Sequence, residues 1–246
     1  LLDVTLGWRA SFWVLFLCGS ATLWLIWRDV GETRVRAFSS FAEQLRGYPD
    51  LLTAPRFWGY GLAQTFAGGT DFAYLGGAPF VGAQIFHLDP ATLGVCFGAT
   101  SVGYITGSFL SGRLSQRAGV LRMTAAGTLV TTVALLVSLS LFAISAGSAA
   151  TFFGLTILVG AGYGMTLPNA TVGMLSVRPH LAGTASGLGS AMMICVGAAL
   201  SAFAGSVMVH GAGAERLLLI QVASSLASVA AVAFVAWRES ILQRRS

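Results

Sequence analysis

The chain has 246 residues, 55% of them hydrophobic and 9% charged, with a formal net charge of +5 and a mean hydropathy of +0.78. Soluble domains carry roughly 25% charged residues, so this composition excludes an ordinary soluble enzyme; the basic balance fits loops beside anionic lipid, not a nucleic-acid surface. All 14 basic residues are arginine. Without a lysine there is no Gly-x-x-x-x-Gly-Lys loop to cradle phosphates, which argues against pumping driven by ATP.

Seven apolar stretches follow one another along the chain: 11–27, 57–81, 92–111, 123–144, 151–176, 184–208 and 217–237. A helix rising about 1.5 Å per residue needs roughly 20 residues to cross about 30 Å of hydrocarbon. Each stretch suffices, with 11–27 near the lower limit. The connections after the first, third, fifth and seventh stretches hold 12 of the arginines, from Arg28 and Arg34 to Arg244 and Arg245. Only Arg9 and Arg216 lie on the other side. Helices crossing in alternating directions with arginine kept in the cytoplasm give this pattern. The predicted fold is therefore an all-α membrane protein with seven transmembrane helices. Residues 1–27 carry the leading helix, 28–56 form a long cytoplasmic loop, and 57–246 hold six helices ending in a cytoplasmic C-terminus. The first run, flanked by Trp8, Arg9, Trp24 and Trp27, has no small-residue cleavage site of a secretion signal.

In the long loop, Val35, Phe38, Ala42 and Leu45 recur at helical spacing among Arg34, Arg36, Glu43 and Arg46. A short amphipathic helix on the membrane surface fits; a solvated linker with incidental apolar residues is the alternative. Four small-xxx-small pairs come next: Gly94 with Gly98, Gly103 with Gly107, Gly160 with Gly164, and Gly183 with Gly187. No hydrophobic force draws helices together in lipid, so small residues that allow close approach predict a tightly packed bundle. Cys18, Cys96 and Cys195 lie in apolar runs and read as packing residues. His87 and Asp89 fall in an outer turn and His180 in an inner one, without metal-ligand spacing. No metal, no cofactor and no enzymatic chemistry are expected.

Asp71 is the only Asp, Glu, Lys, Arg or His inside the seven stretches. A charged aspartate near a helix centre costs about 2.5–3.5 kcal/mol on insertion scales, so it faces a cavity or a partner. Gln64, Asp71 and Tyr74 fall along one face of 57–81, with Ala67 and Gly68 between them, and outline a candidate water-filled pathway. There Asp71 is placed to bind a proton, to coordinate a cationic substrate or to cap a loosened Gly68-Gly69 backbone. The alternative is a structural carboxylate, protonated or hydrogen-bonded to a neighbouring helix. In 151–176, Pro168 removes a backbone donor and clashes with the preceding turn, so a kink or local unwinding is expected near Gly164. Gly164 and Pro168 are thus hinge or gating candidates, with Tyr163 and Asn169 as pathway candidates. Asn169 either satisfies a freed carbonyl or faces substrate. Met165, Met192 and Met193 suit an adaptable apolar surface or simple packing against neighbours and lipid.

Several segments resemble the major facilitator superfamily. Gly31-Glu32-Thr33 stands where its members commonly carry Pro-Glu-Thr before a central loop. Residues 112–122 resemble its Gly-x-Leu-x-Asp-Arg-x-Gly-x-x-Arg loop, matching at Gly112, Leu114, Arg117, Gly119 and Arg122, with Gln116 at the acidic position. The glycines would make a tight turn there, and the arginines would lock it to helix ends and headgroups. Phe72-Ala73-Tyr74 with Pro79-Phe80-Val81, then Leu167-Pro168-Asn169-Ala170, then Arg178-Pro179-His180 with Ala182-Gly183-Thr184-Ala185-Ser186, are similar in order to the Bcr/CflA drug-resistance subfamily. That resemblance implies twelve helices in two six-helix halves, with 1–27 as the last helix of the N-terminal half, 28–56 as the central loop and 57–246 as the complete C-terminal half. It also implies proton-coupled multidrug efflux of small amphipathic compounds by alternating access, in a membrane such as the bacterial inner membrane. The start at Leu1 and the odd number of spans lead to the expectation of a C-terminal portion whose partners are the lipid bilayer, a small-molecule substrate and the missing N-terminal half. The alternatives are an uptake carrier for a small metabolite and a non-transporting membrane scaffold or receptor.

Overall fold

The structure, a computed structural model, describes residues 8–29, 48–211 and 213–243. The predicted amphipathic segment, Gly31-Glu32-Thr33, Arg244 and Arg245 lie outside the described residues. Two compact units divide the chain, Leu1–Leu45 and Arg46–Ser246. In the first, helix α1 spans Trp8–Asp29. Its Thr22 hydroxyl donates back to the Cys18 carbonyl at 2.8 Å, and the Arg28 guanidinium sits 5.3 Å from the Trp24 ring centre.

The second unit is all helical among the described residues. After the short α2 (Tyr48–Leu52) come α3 (Pro55–Phe80), a π-helical turn (Val81–Ile85), α4 (Pro90–Ala118), α5 (Val120–Ala143) and α6 (Ala149–Leu175). A 3-10 turn (Pro179–Leu181), α7 (Ala182–Val209) and α8 (Ala214–Gln243) complete it. Local chemistry sets the boundaries. Asp89 caps α4 by accepting the Thr92 amide at 3.0 Å and the Thr92 hydroxyl at 2.7 Å, with Pro90 at the first helical position. Those bonds hold the exposed Asp89 carboxyl below its ordinary pKa. Ser148 and Thr151 form a reciprocal capping box on α6. Pro79 precedes the π-helical turn, where the ordinary ladder of α3 has lost a donor.

Among the described residues, five helical segments are long and apolar enough to cross a membrane: 90–118, 120–143, 149–175, 179–209 and 214–241. The sequence reading expected seven. α1 and α3 are not among the five; α3 is long enough but less apolar, a composition its surroundings accommodate. Fifteen of its residues are buried, against three in α4. A helix wrapped by protein can carry Gly, Thr, Gln, Tyr and Asp where a lipid-facing helix could not.

Helix packing is close and reciprocal. A side chain on Gly103 or Gly107 of α4 would strike the backbone of Ile157 or Ala161 on α6. One on Gly160 or Gly164 of α6 would strike that of Thr100 or Tyr104 on α4. On the other flank of α6, Gly162 meets Gly127 of α5 in the same way. These are backbone-to-backbone contacts, available only without a Cβ. The other two predicted pairs behave differently: Gly94, Gly98, Gly183 and Gly187 have nothing within 4 Å. Spacing alone does not say which side of a helix faces a neighbour.

α3 is held by α6, α7 and α8. Ser228 and Ser224 of α8 donate to the Ala63 and Phe66 carbonyls of α3 at 2.8 and 2.7 Å, and Gln221 to that of Thr70 at 3.4 Å. At one end Tyr74, Phe86, Phe97, Phe142, Phe152 and Phe153 make an aromatic cluster, with Phe152 and Phe153 crossing edge to face at 4.9 Å. At the other, Arg56 of α3 pairs with Glu239 of α8 at 2.7 Å.

This packing generates a paired test. Gly107→Val forces a branched side chain into the Ala161 backbone and should destabilise the bundle by about 1–3 kcal/mol or more, as overpacking does. Gly98→Ala, facing open space, should leave stability within about 0.5 kcal/mol, as surface changes do. Reversible unfolding of the purified protein in mixed micelles, followed by tryptophan fluorescence, measures both. Equal effects would mean α4 and α6 do not meet as described.

Candidate functional site

Asp71 stands in the middle of α3, partly buried, at the meeting of three hollows. One, about 280 Å³, is lined by Asp71, Thr100, Ser101, Tyr104, Ile105, Gly160 and Tyr163. The next, about 290 Å³, shares Asp71, Thr100 and Ser101 and continues to Tyr74 and Phe97. The third, about 10 Å³ and thus near the lower limit for one water, runs inward past Thr70, Thr128, Thr131, Thr166 and Ser225. Among the described residues no ion pair or hydrogen bond engages the Asp71 carboxylate. The hydrogen-bonded structural carboxylate of the alternative reading is therefore absent from this arrangement. Capping of Gly68-Gly69 is corrected too: α3 is regular helix there, and Met193 and Leu200 of α7 fill the space beside those glycines.

The aromatic neighbours come from three helices. Tyr104 of α4 and Tyr163 of α6 have ring centres 5.6 Å apart; Tyr74 of α3 and Phe97 of α4 lie 5.0 Å apart. The glycine contacts account for the first pair, because Gly160 and Gly164 bring α6 onto the backbone that carries Thr100 and Tyr104. Thr100 Oγ1 donates to Thr156 Oγ1 at 3.0 Å. The buried Tyr74 hydroxyl lies beside that pair without meeting full hydrogen-bond geometry.

Of the predicted pathway residues, Asp71, Tyr74 and Tyr163 share these hollows. Gln64 does not. It is buried and accepts the Thr171 hydroxyl of α6 at 2.8 Å, tying α3 to α6. Asn169 is also buried: its Nδ2 donates to Ser111 Oγ at 2.5 Å and the Met165 carbonyl at 2.7 Å, and Ser115 Oγ lies 2.8 Å from its Oδ1. It stitches α6 to α4 instead of lining a hollow beside Asp71. Of the kink or local unwinding expected near Gly164, the unwinding is not found, for α6 is continuous from Ala149 to Leu175. The carbonyl that Pro168 leaves without a helical donor is that of Gly164, and Ser108 of α4 donates to it at 3.2 Å. A neighbouring hydroxyl replaces the missing amide, so the helix need not open.

The loop motif is shorter than its pattern suggests. Gly112, Leu114 and Arg117 all lie within α4, which runs to Ala118, and Gly112 has open space around it. Gly119 alone makes the turn, with φ +87°, a conformation that favours glycine. Arg122 lines a separate depression of about 480 Å³ with Arg56, Tyr60, Gly119 and Glu239. Two elements escaped the sequence reading. Arg56 and Glu239 are 183 positions apart, and nothing local signals their pairing. Tyr104 was legible in principle, one residue after Gly103 on a helix whose glycines mark the packed side.

Among the described residues no group of three or more His, Cys, Asp or Glu is placed to hold a metal. Residues 1–202 match the Major Facilitator Superfamily. The chain is similar to an uncharacterized MFS-type transporter, YdgK of Bacillus subtilis (strain 168), at 28% identity over 204 residues. That alignment covers 80% of this chain and 50% of the relative, so the chain spans about half the relative's length. No solved structure matches. The family consists of transporters, not enzymes, and a match over most of the chain, on an all-helical protein with apolar membrane-length helices, makes this chain a multi-pass membrane protein of the Major Facilitator Superfamily.

Proposed function

We propose that the protein works as a secondary active transporter that exports small amphipathic compounds in exchange for protons, by alternating access. All seven long helices, α1 and α3 to α8, cross the bilayer in this reading, with α3 to α8 as one six-helix half. The arginine-rich end, including Arg56, Arg113, Arg117 and Arg122, faces the cytoplasm, and Phe86 to Pro90 face outward. The working transporter includes a further helical half, against which this one rocks around a site near the midplane; the half-length match to YdgK supports that. The ordered segments similar to the Bcr/CflA subfamily favour export over uptake.

One observation carries the reading. Asp71 is the one carboxylate of α3, well along the helix from Arg56 in its first turn, placed where three hollows meet and left without a counter-ion. A group so costly to keep in a membrane, and satisfied by no neighbour, fits a proton or ion pathway. Gln64, Asn169, Gly164 and Pro168 fit a different role, holding α6 against α3 and α4 while the half moves as a body.

Orientation is tested by single cysteines in a background lacking Cys18, Cys96 and Cys195. Ala91→Cys and Gln116→Cys fall at exposed positions near opposite ends of α4. An impermeant maleimide should label Ala91→Cys in intact cells and Gln116→Cys only after permeabilisation. The reverse pattern would invert the topology.

Coupling is tested in everted vesicles of cells making the whole protein, acidified inside by respiration and reported by acridine orange. A transported compound from an amphipathic panel should release protons and restore fluorescence in the wild type. Asp71→Asn keeps the shape and hydrogen-bonding capacity of a protonated acid but cannot ionise, so at equal membrane abundance the response should disappear. An unchanged response in Asp71→Asn contradicts the proposal.

A further inference from the structure

At the arginine-rich end of the bundle, the depression bordered by Arg56 and Arg122 lies outside the pathway around Asp71. Arg56 stands about four turns before Asp71 on α3, roughly 22 Å away along the helix. We propose that this depression is a binding site for a phosphate group, held between the Arg56 and Arg122 guanidiniums. Its volume, about 480 Å³, falls within the roughly 300–1,000 Å³ of small-molecule pockets and exceeds what a bare ion fills. The group it takes can therefore carry an organic body.

Charge decides what enters. α3 and α5 begin around the depression, while α6 and α8 end there, so the helix dipoles largely offset one another and the side chains set the sign. Two guanidiniums face one carboxylate, that of Glu239, which leaves an excess of one positive charge. A cation is repelled, and a neutral solute leaves that charge uncompensated. The neutral hydroxyls have already given up their hydrogens. Tyr60 donates to Glu239 at 3.5 Å, Ser176 to the Gly173 carbonyl at 2.7 Å and Ser240 to the Trp237 carbonyl at 2.8 Å.

The donors still unmet belong to the arginines. Arg56 Nη2 reaches Glu239 Oε1 at 2.7 Å, yet its Nε is enclosed and meets no acceptor. Among the described residues Arg122 has neither an acid nor a hydrogen-bond acceptor. Guanidinium forks match the oxygens of a phosphate and hold it by paired, charge-assisted bonds. Glu239 then acts as a competitor: a phosphate in the depression shares Arg56 with it. Removing the Glu239 charge should strengthen binding, an outcome that a purely structural ion pair would not produce. A soluble phosphate ester and an anionic lipid headgroup both carry the group, and the experiment separates them.

Thermal unfolding of the whole protein in neutral maltoside micelles, followed by tryptophan fluorescence at constant ionic strength, tests this without requiring transport. Inorganic phosphate is the soluble probe; dioctanoyl phosphatidylglycerol is the lipid probe, with dioctanoyl phosphatidylcholine as its control. A ligand of the folded state raises the unfolding temperature saturably. The half-saturating concentration should rise at least about tenfold in Arg122→Gln, which loses the charge. It should rise about threefold in Arg122→Lys, which keeps the charge without the fork. In Glu239→Gln it should fall about 3- to 10-fold. Arg122 is exposed, so its variants should fold, and if Glu239→Gln does not, the Arg122 pair decides. This order of variants with inorganic phosphate supports a site open to soluble phosphates; the same order with phosphatidylglycerol alone supports a headgroup site. No saturable shift from either probe, wild-type half-saturation in Arg122→Gln, or no tightening in a folded Glu239→Gln would overturn the proposal.

Discussion

The packing of the second unit depends on helix backbones touching where no side chain intervenes. Between apolar helices in lipid there is no hydrophobic driving force, because tails solvate leucine as well as another helix does. Cohesion must come from dispersion and polar contacts at close range. Gly103 and Gly107 against Ile157 and Ala161, answered by Gly160 and Gly164 against Thr100 and Tyr104, provide that range between α4 and α6. Gly127 and Gly162 repeat it between α5 and α6. α6 is therefore clamped on two flanks, and the helix carrying Pro168 stays continuous because Ser108 is close enough to serve the orphaned carbonyl.

That constraint determines where the polar groups end up. Tyr104 and Tyr163 face one another because their helices are locked at neighbouring turns. α3, enclosed by α6, α7 and α8, can afford a composition too polar for a lipid-facing helix, and its Asp71 opens onto the hollow the two tyrosines border. The serines of α8 bind α3 through its own carbonyls instead of competing for Asp71. The carboxylate is left available. In the proposed mechanism that availability is what a proton exploits.

Much of the fold was legible in the residues. Long uncharged runs between arginines placed the helices, and Asp71 stood out because charge is rare among them. Tyr74 and Tyr163 were found near Asp71 for two reasons: one lies a turn away on the same helix, the other beside glycines that mark a packed face. Other features were hidden because sequence periodicity ranks the faces of a helix without naming the neighbour on each. Gln64 shares a stripe with Asp71 yet turns to Thr171. Gly94-Gly98 and Gly183-Gly187 have the same spacing as the packed pairs but meet nothing. Pro168 led to the expectation of a kink or local unwinding, since the hydroxyl that serves the freed Gly164 carbonyl sits 56 positions from that glycine, on α4. Gly112 likewise reads as a turn residue until α4 is seen to run on to Ala118.

The central claim is that position 71 faces a hollow open to water-borne solutes, whereas position 64 on the same helix is sealed between α3 and α6. Reaction with a small cationic methanethiosulfonate reagent measures this directly in a protein whose native cysteines are replaced. Asp71→Cys should react readily in membranes, and Gln64→Cys should react far more slowly under the same conditions. An unreactive cysteine at 71, or equal rates at 71 and 64, would contradict the account of how these helices pack and what they leave open.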